Sequence, residues 1–587
     1  MIETSFLGKK ISSSAESIIL PNKTGGFFYY SDKPLSKYQG LFFNNSEILY
    51  KTIEAIKVDE GEVKNIIYNG SDFEVRYEKS FQSFAVEASK DAVIYETDSE
   101  KGSRFIFDCR KAYDIHKWGR YYDIYVEDGA IIIQYRKRHD LKENSKDEYD
   151  IFTAIVADPL SYTFKGEWHE QEYLFDAKRK DTPVRSLYDA IEMNVKRAVV
   201  VCSLIKKDAI KTAKEMFSAK KIKSTVEVSK KKISDLNVNY AYELSRNALN
   251  SLTVKFPGFR GIYAGLPWFY QFWTRDSAMS CRALGSCGEK DFEKNLLYLY
   301  LDHLRPDGLI PNMISGVGLD SIDGTGLVFL RIGEILSSYS EKEQKKIMDS
   351  LDDALSGIKA YHSENGFIIS EGYETWMDTD IRDGARIEIQ ALYLQCYTLL
   401  KKLAKKFKSE LISDLAEKTE TELKGKIRSH FYRDGLLGDG IEDGTKRPNI
   451  FLACYFYPEL FSKNEWEIIF DRKIDALWLP WGGFATIDKK DPRFTAEHTG
   501  MDNKSYHKGD SWFFLNNLAA LVMQRVNAKK YKKYINGILA ASTDEILNKG
   551  IFGYHAELSS AKELEANGCL AQAWSSALYI ELIEELY

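Results

Sequence analysis

The period of the apolar residues changes once along this chain, near Lys206, and that change constrains the fold more than any other feature. Before it, apolar and polar residues alternate. Phe73, Val75 and Tyr77 stand between Glu74, Arg76 and Glu78, the period of a half-buried strand. Tyr122–Glu127 and Ala130–Tyr135 flank Asp128-Gly129, a strong hairpin signal. The runs Phe84–Glu87 and Arg104–Phe107 fit the same sheet, and Arg197–Ser203 is the last strand candidate. Many short strands with turn residues between them predict an N-terminal antiparallel β-sandwich over residues 1–205.

From Lys206 the pattern is helical. Lys207–Phe217 leads into the lysine-rich Val228–Ser234, and residues 206–235 are expected to form a solvated linker helix. A nucleic-acid patch is disfavoured there, because no aromatic residues interleave the lysines for base stacking. After residue 236 helices dominate. Ile389, Leu392, Cys396, Leu399, Leu403 and Phe407 mark one helical face, and the chain ends on a helix through Tyr587. About 350 residues in helices of about 12, with substantial loops, make about twelve helices. A closed double ring is one way to pack them.

A chain of 587 residues exceeds one hydrophobic core, so roughly two to four domains are expected. The net charge of −6 leaves no whole-chain footprint for nucleic acid or anionic membrane. The seven cysteines are scattered and form no C-x-x-C pair, which points to a reducing compartment. The N-terminus carries no basic start followed by an apolar stretch, and no apolar run spans a bilayer. A soluble, cytoplasmic protein is expected. The nine histidines form no ligand cluster, so neither a metal nor a cofactor is expected. Oligomeric state is not legible. The 36 Tyr, 32 Phe and 10 Trp suit sugar binding, because apolar sugar faces stack on rings; the same residues also fill cores.

Trp268, Trp273, Trp376, Trp466, Trp478, Trp481, Trp512 and Trp574 all fall in the helical region after residue 236. Most sit beside Gly, Asp, Arg or His in segments that break the helical period, which is where sites are built on rigid scaffolds. In Ala264–Met279, Arg275 and Asp276 follow an aromatic run containing Trp268 and Trp273. The plain alternative is that Asp276 caps a helix, with Arg275 its surface partner. Ser370–Glu388 carries Glu371, Glu374, Asp378, Asp380, Asp383 and Glu388 against only Arg382 and Arg386. Crowded carboxylates beside a Trp raise one another's pKa, as a general acid requires. A solvated acidic loop and an oxygen-ligand site for a divalent ion are the alternatives. Glu557 lies in a polar loop ahead of the last helix; Leu479–Ala485, with Trp481, and Tyr506–Trp512, with His507, look like further pocket linings.

These segments resemble the catalytic domain of the amylo-α-1,6-glucosidase family of glycogen-debranching type and, more distantly, inverting glucoamylases. The matches are Phe272-Trp-Thr-Arg-Asp-Ser277, Gly308-Leu-Ile-Pro-Asn312, Glu374-Thr-Trp-Met-Asp378, Arg447-Pro-Asn449, Tyr506-His-Lys-Gly509 and Gly568-Cys-Leu-Ala-Gln-Ala-Trp-Ser575. They cover roughly residues 240–587. The resemblance implies a β-sandwich followed by an (α/α)6 barrel over residues 236–587. It implies Asp378 as general acid, Glu557 as general base, and Arg275 and Asp276 as grips on the non-reducing-end glucose. Trp376, Trp273 and His507 line the same subsite in that picture; Trp268, Trp481 and Glu374 are further substrate-binding candidates, and Asp323 a minor one. The implied substrate is a branched α-glucan, cleaved with inversion and without a cofactor. An exo-acting α-1,4-glucosidase, a phosphorylase on the same barrel and a non-catalytic glucan-binding protein are the competing readings. The N-terminal region does not alternate strand and helix, so no 4-α-glucanotransferase activity is expected.

Overall fold

The computed structural model describes residues 1–142, 146–219, 228–314 and 320–587. The chain divides into two compact units. The first comprises Met1–Glu243, Ser251–Phe259 and Ile546–Gly553 and is built on two sheets. The ten-stranded sheet runs from the hairpin Arg120–Glu127/Ala130–Lys137 through Tyr149–Asp158, Arg197–Ser203, Ala92–Thr97, Phe81–Val86, Asp72–Arg76 and Asn65–Tyr68 to Ile2–Thr4 and Ile11–Ser13. The seven-stranded sheet runs from Thr163–Glu172 through Val184–Met193, Ser103–Lys111, Ile48–Val58, Gly40–Asn45 and Phe27–Ser31 to Ser17–Pro21.

Local chemistry explains these strands. Phe73 and Val75 are fully buried while Arg76 is exposed, as the alternation requires. The hairpin closes at Asp128 and Gly129, both at positive φ (50° and 70°), with Glu127 opposite Ala130. A two-residue turn of that kind matches the right-handed twist of its strands. One pairing differs from the all-antiparallel expectation: Ile2–Thr4 runs parallel to Asn65–Tyr68, with Ile2 opposite Ile66. The sheets meet through Phe28, whose ring centre lies 5.2 Å from Phe84 and 6.3 Å from Phe73. Each Phe buried in this way contributes about 1.5–3 kcal/mol.

The helix Lys206–Ser218 is not the solvated linker expected. Ala209, Ile210, Ala213 and Met216 bury one face against Ile132, Val156, Val199 and Val201 of the ten-stranded sheet. The lysines occupy its other face, so the charge run hid an amphipathic helix. Residues 220–227 of the expected linker lie outside the described residues.

The second unit comprises Leu244–Asn250, Arg260–Glu545 and Tyr554–Tyr587 and is helical. On the helix Ile387–Lys406, Ile389, Leu392, Cys396, Leu399 and Leu403 are all buried, and Phe407 ends it. It packs against Ile322–Glu334, Glu410–His430 and Asn449–Phe456. Helix Thr274–Ser286 lies between Ile322–Glu334 and Ala573–Leu586. The stretch Phe513–Asn548 is two helices meeting at Asn527 (φ −159°, ψ 86°), where the Asn527 side chain accepts from Lys530 N and caps the second. Two-residue ribbons tie distant loops together: Gly265–Leu266 pairs with Ala571–Gln572, and Ser511–Trp512 pairs with Leu558–Ser559. No helix among the described residues is long and apolar enough to cross a membrane.

Candidate active site

Those two ribbons join three of the segments singled out in the sequence. The first turn of Thr274–Ser286 carries Arg275 and Asp276, both buried. Asp276 does not cap this helix. The Thr274 amide donates to Asn312 O (2.8 Å) and the Arg275 amide to Asn312 Oδ1 (3.2 Å), so Asn312 satisfies the first orphan donors of the helix. The Asp276 carboxylate instead accepts from Gln572 Nε2 (3.1 Å). Burial pushes its pKa up to about 7, only partly offset by Arg275.

Arg275 is no surface residue either. Its Nη2 donates to Asp378 Oδ2 at 2.6 Å and its Nη1 to Thr375 O at 3.0 Å, with Asp323 Oδ1 3.7 Å from Nη1. Burial raises the Asp378 pKa, but the guanidinium outweighs it and holds the carboxyl below its ordinary value. His507 Nε2 stands 3.7 Å from Asp378 Oδ1, too far for a hydrogen bond. Burial depresses His507 to about 4, so near pH 7 it is a neutral ring. Neither ring nitrogen of His507 makes a hydrogen bond among the described residues, nor does the buried Trp273 Nε1.

The acidic segment is less crowded with free charge than its sequence suggests. Asp380 is held by Arg447 and by Lys508 Nζ (3.0 Å), and Glu388 by Arg382 (2.7 Å). Glu374 accepts from Glu371 N (2.8 Å) inside its own loop; burial raises its pKa. These pairings leave only Glu371 and Asp383 as exposed carboxylates of the segment, and no group of three metal-type side chains gathers among the described residues. Asp378 remains half-buried, with 26% of its side chain exposed.

Glu557 lies in a buried stretch rather than an open polar loop: residues 554–561 are all buried. Its Oε1 accepts from the Tyr506 hydroxyl and its Oε2 from the Cys569 amide (2.8 Å). Burial drives its pKa up to about 8 despite both donors. Gly568, at φ +65°, gives it room: a Cβ there lies 2.3 Å from Glu557 Oε2. Asp276 and Asp378 are close enough to raise Glu557 further, so all three carboxylates share one electrostatic neighbourhood.

An aromatic wall stands beside Asp378. His507 stacks on Trp512 (5.0 Å between centres, 10°), and Trp376 meets both edge-on at 5.3 and 5.5 Å. Trp268 is buried, with its backbone amide directed at the Cys569 thiol beside Glu557. Trp481 packs on the cluster of Leu479, Ala485 and Ala561, as does Phe494, and its Nε1 donates to Ala561 O (3.3 Å).

Sequence reasoning quoted Tyr506 and Asn449 in motifs but gave them no part. Trp376 Nε1 donates to Asn449 Oδ1 (2.9 Å), and Asn449 Nδ2 donates to Asp439 Oδ1 (2.8 Å). Asp439 is buried, yet Arg382, Arg447, Lys473 and Arg386 pull its pKa far below the carboxylate range. A permanent carboxylate only accepts, so the Asn449 amide must turn its nitrogen to Asp439 and its oxygen to Trp376. Only the proximity of the motifs in space reveals this chain of bonds.

The family model described as amylo-alpha-1,6-glucosidase matches residues 248–581. No curated protein matches by sequence. A bacterial glucoamylase complexed with acarbose superposes with a TM-score of 0.65 at 12% identity, over 97% of this chain and 94% of that one. An uncharacterized conserved protein from Thermus thermophilus superposes with a TM-score of 0.44 at 12% identity, over 58% of this chain and 98% of that one. The family match spans more than half of the chain and contains every carboxylate described above, and the protein belongs to the amylo-alpha-1,6-glucosidase family of glycoside hydrolases.

Proposed function

We propose that the protein removes α-1,6-linked glucose from branched α-glucans with inversion, Asp378 serving as general acid and Glu557 as general base. The observation that carries this reading is the separate tethering of two neighbouring carboxylates: Asp378 on Arg275, and Glu557 on Tyr506 and Cys569. In this reading the helices of residues 236–587 form an (α/α)6 barrel and residues 1–205 a β-sandwich. Likeness in fold to a glucoamylase over 97% of the chain supports that architecture.

Inversion needs a proton on the acid, none on the base, and a water between base and anomeric carbon, with carboxyls ~6.5–9.5 Å apart. Asp378 gives its proton to the glycosidic oxygen as the C–O bond breaks. Water attacks the anomeric carbon from the opposite face, and Glu557 takes the proton that water releases. Glucose leaves as the β-anomer. Each turnover therefore ends with Asp378 ionised and Glu557 protonated, the distribution that the unliganded site itself favours. Resetting moves one proton back to Asp378. Binding of glucose drives that step if Arg275 turns its guanidinium from Asp378 to the sugar hydroxyls, because Asp378 then loses the charge that depresses its pKa. The ring nitrogens of His507 and Trp273, which make no hydrogen bond among the described residues, are the other groups on hand for those hydroxyls.

The test is incubation with panose, which bears an α-1,6 bond, and maltotriose, which has only α-1,4 bonds, following the anomer of the released glucose by NMR. β-Glucose from panose alone is the expected result. Release from maltotriose moves the assignment to an α-1,4-glucosidase, and release from neither removes the catalytic assignment.

A further inference from the structure

The first unit contains a cavity of about 180 Å³ that is lined by none of the candidate active-site segments. Phe28, Tyr30, Tyr77 and Phe84 supply its rings, and Asp32 and Gln82 polar groups. Its size suits one six-membered ring, since an apolar cavity of about 150 Å³ holds benzene. Its polar equipment suits something other than benzene. Tyr30 is half-buried, with its ring packed at 4.9 Å from Phe73 and 5.6 Å from Phe84. The Tyr30 hydroxyl and the Asp32 carboxylate make no hydrogen bond or ion pair with any described residue. The Tyr77 hydroxyl donates to Gln82 Oε1 (2.6 Å) and keeps its own lone pairs free to accept.

We propose that this cavity is a second carbohydrate site, seating one pyranose whose neighbouring hydroxyls bond Asp32 and Tyr30 while its apolar face lies on the aromatic rings. A carboxylate accepts from two adjacent hydroxyls at once, and bonds to a charged acceptor are the strong ones. An aromatic floor beneath a polar rim is the general form of a small-ligand site. That the pyranose is glucose rests on the α-glucan reading above. Free glucose and the terminal residue of a glucan offer the same chemistry, and titration with both separates them.

The experiment uses full-length Asp378→Asn protein, which does not consume the ligand. Glucose and maltotriose are titrated by calorimetry, and amide exchange is followed by mass spectrometry across residues 31–39 and 77–82. Expected are slowed exchange in those two segments and a second calorimetric site. Asp32→Ala, added to the same protein, weakens that site about tenfold, and Tyr30→Phe weakens it without disturbing the ring packing. Protection by glucose identifies a monosaccharide site, and protection by maltotriose alone a chain-end site; either supports the inference. Unchanged exchange in both segments with both sugars overturns it. Panose hydrolysis by wild type, measured in parallel, keeps the two readings apart. Hydrolysis without protection removes only the second site, and protection without hydrolysis removes only the hydrolase assignment.

Discussion

Arg275 Nη2 lies 2.6 Å from Asp378 Oδ2, although 103 residues separate the two in sequence. This bond decides the charge of the proposed acid. Arg275→Met removes it and leaves a buried carboxyl without its cation, so the Asp378 pKa rises above the ordinary range. The acidic limb of kcat/KM against pH is expected to move upward, and kcat/KM to fall about 10–100-fold, the worth of one charged hydrogen bond to the sugar. An unmoved acidic limb, measured on an α-1,6 substrate, refutes the coupling.

Asp378→Asn keeps the shape of the side chain and removes its proton. Hydrolysis is expected to fall by about 10²–10⁴, the range for loss of a general acid, while maltotriose still binds. Calorimetry beside a rate assay checks both halves. Parallel loss of binding and rate would mean that Asp378 holds the fold or the sugar rather than the proton.

The proposed pair carries one proton between the depressed pKa of Asp378 and the raised pKa of Glu557. A single shared proton gives a bell, whose limbs belong to the pair. The alkaline limb of kcat/KM is expected near pH 8, the value to which burial raises Glu557. A limb at about pH 4 instead would place an ordinary carboxyl in control.

The same burial has a cost in stability. Glu557 binds its proton more tightly folded than unfolded, so its contribution is complete below the unfolded value near 4.5 and is lost as pH rises through about 8. Glu557→Gln abolishes that dependence. Above pH 8 the variant is expected to melt higher than wild type, by about 2 °C or more, while hydrolysis is lost. Equal melting temperatures at pH 9 contradict a buried, raised Glu557.

Gly568→Ala tests the room beside Glu557. The new Cβ meets Oε2 at 2.3 Å, on a backbone at φ +65° that disfavours any side chain. The carboxylate must shift, and about a tenfold or greater loss of kcat is expected, since small misplacements of a reacting group are costly. Asn449→Ala is the companion at Trp376: it strands the indole N–H that Asn449 Oδ1 accepts. Raised KM with kcat nearly unchanged is expected there, because in the proposed function the wall holds sugar rather than protons. A kcat defect alone would move Trp376 out of the binding role.

Strand and helix territories were legible because their periods, two and 3.6, are properties of the chain itself. Asp128-Gly129 announced its turn because few residue pairs accept positive φ at both positions. Motif order singled out Asp378, Glu557, Arg275 and His507 as site candidates. The sequence misled where it displayed charge without partners: the acidic segment looked crowded, yet Arg447 and Lys508 neutralise Asp380 and Arg382 neutralises Glu388, and the lysines of Lys206–Ser218 concealed a packed face. What only the tertiary structure decided is who touches whom. Asn312, not Asp276, closes the helix end, Tyr506 and the Cys569 amide hold Glu557, and Arg275 sets the charge of Asp378. A pKa is the sum of burial and neighbours brought from distant parts of the chain, and no local pattern carries that sum.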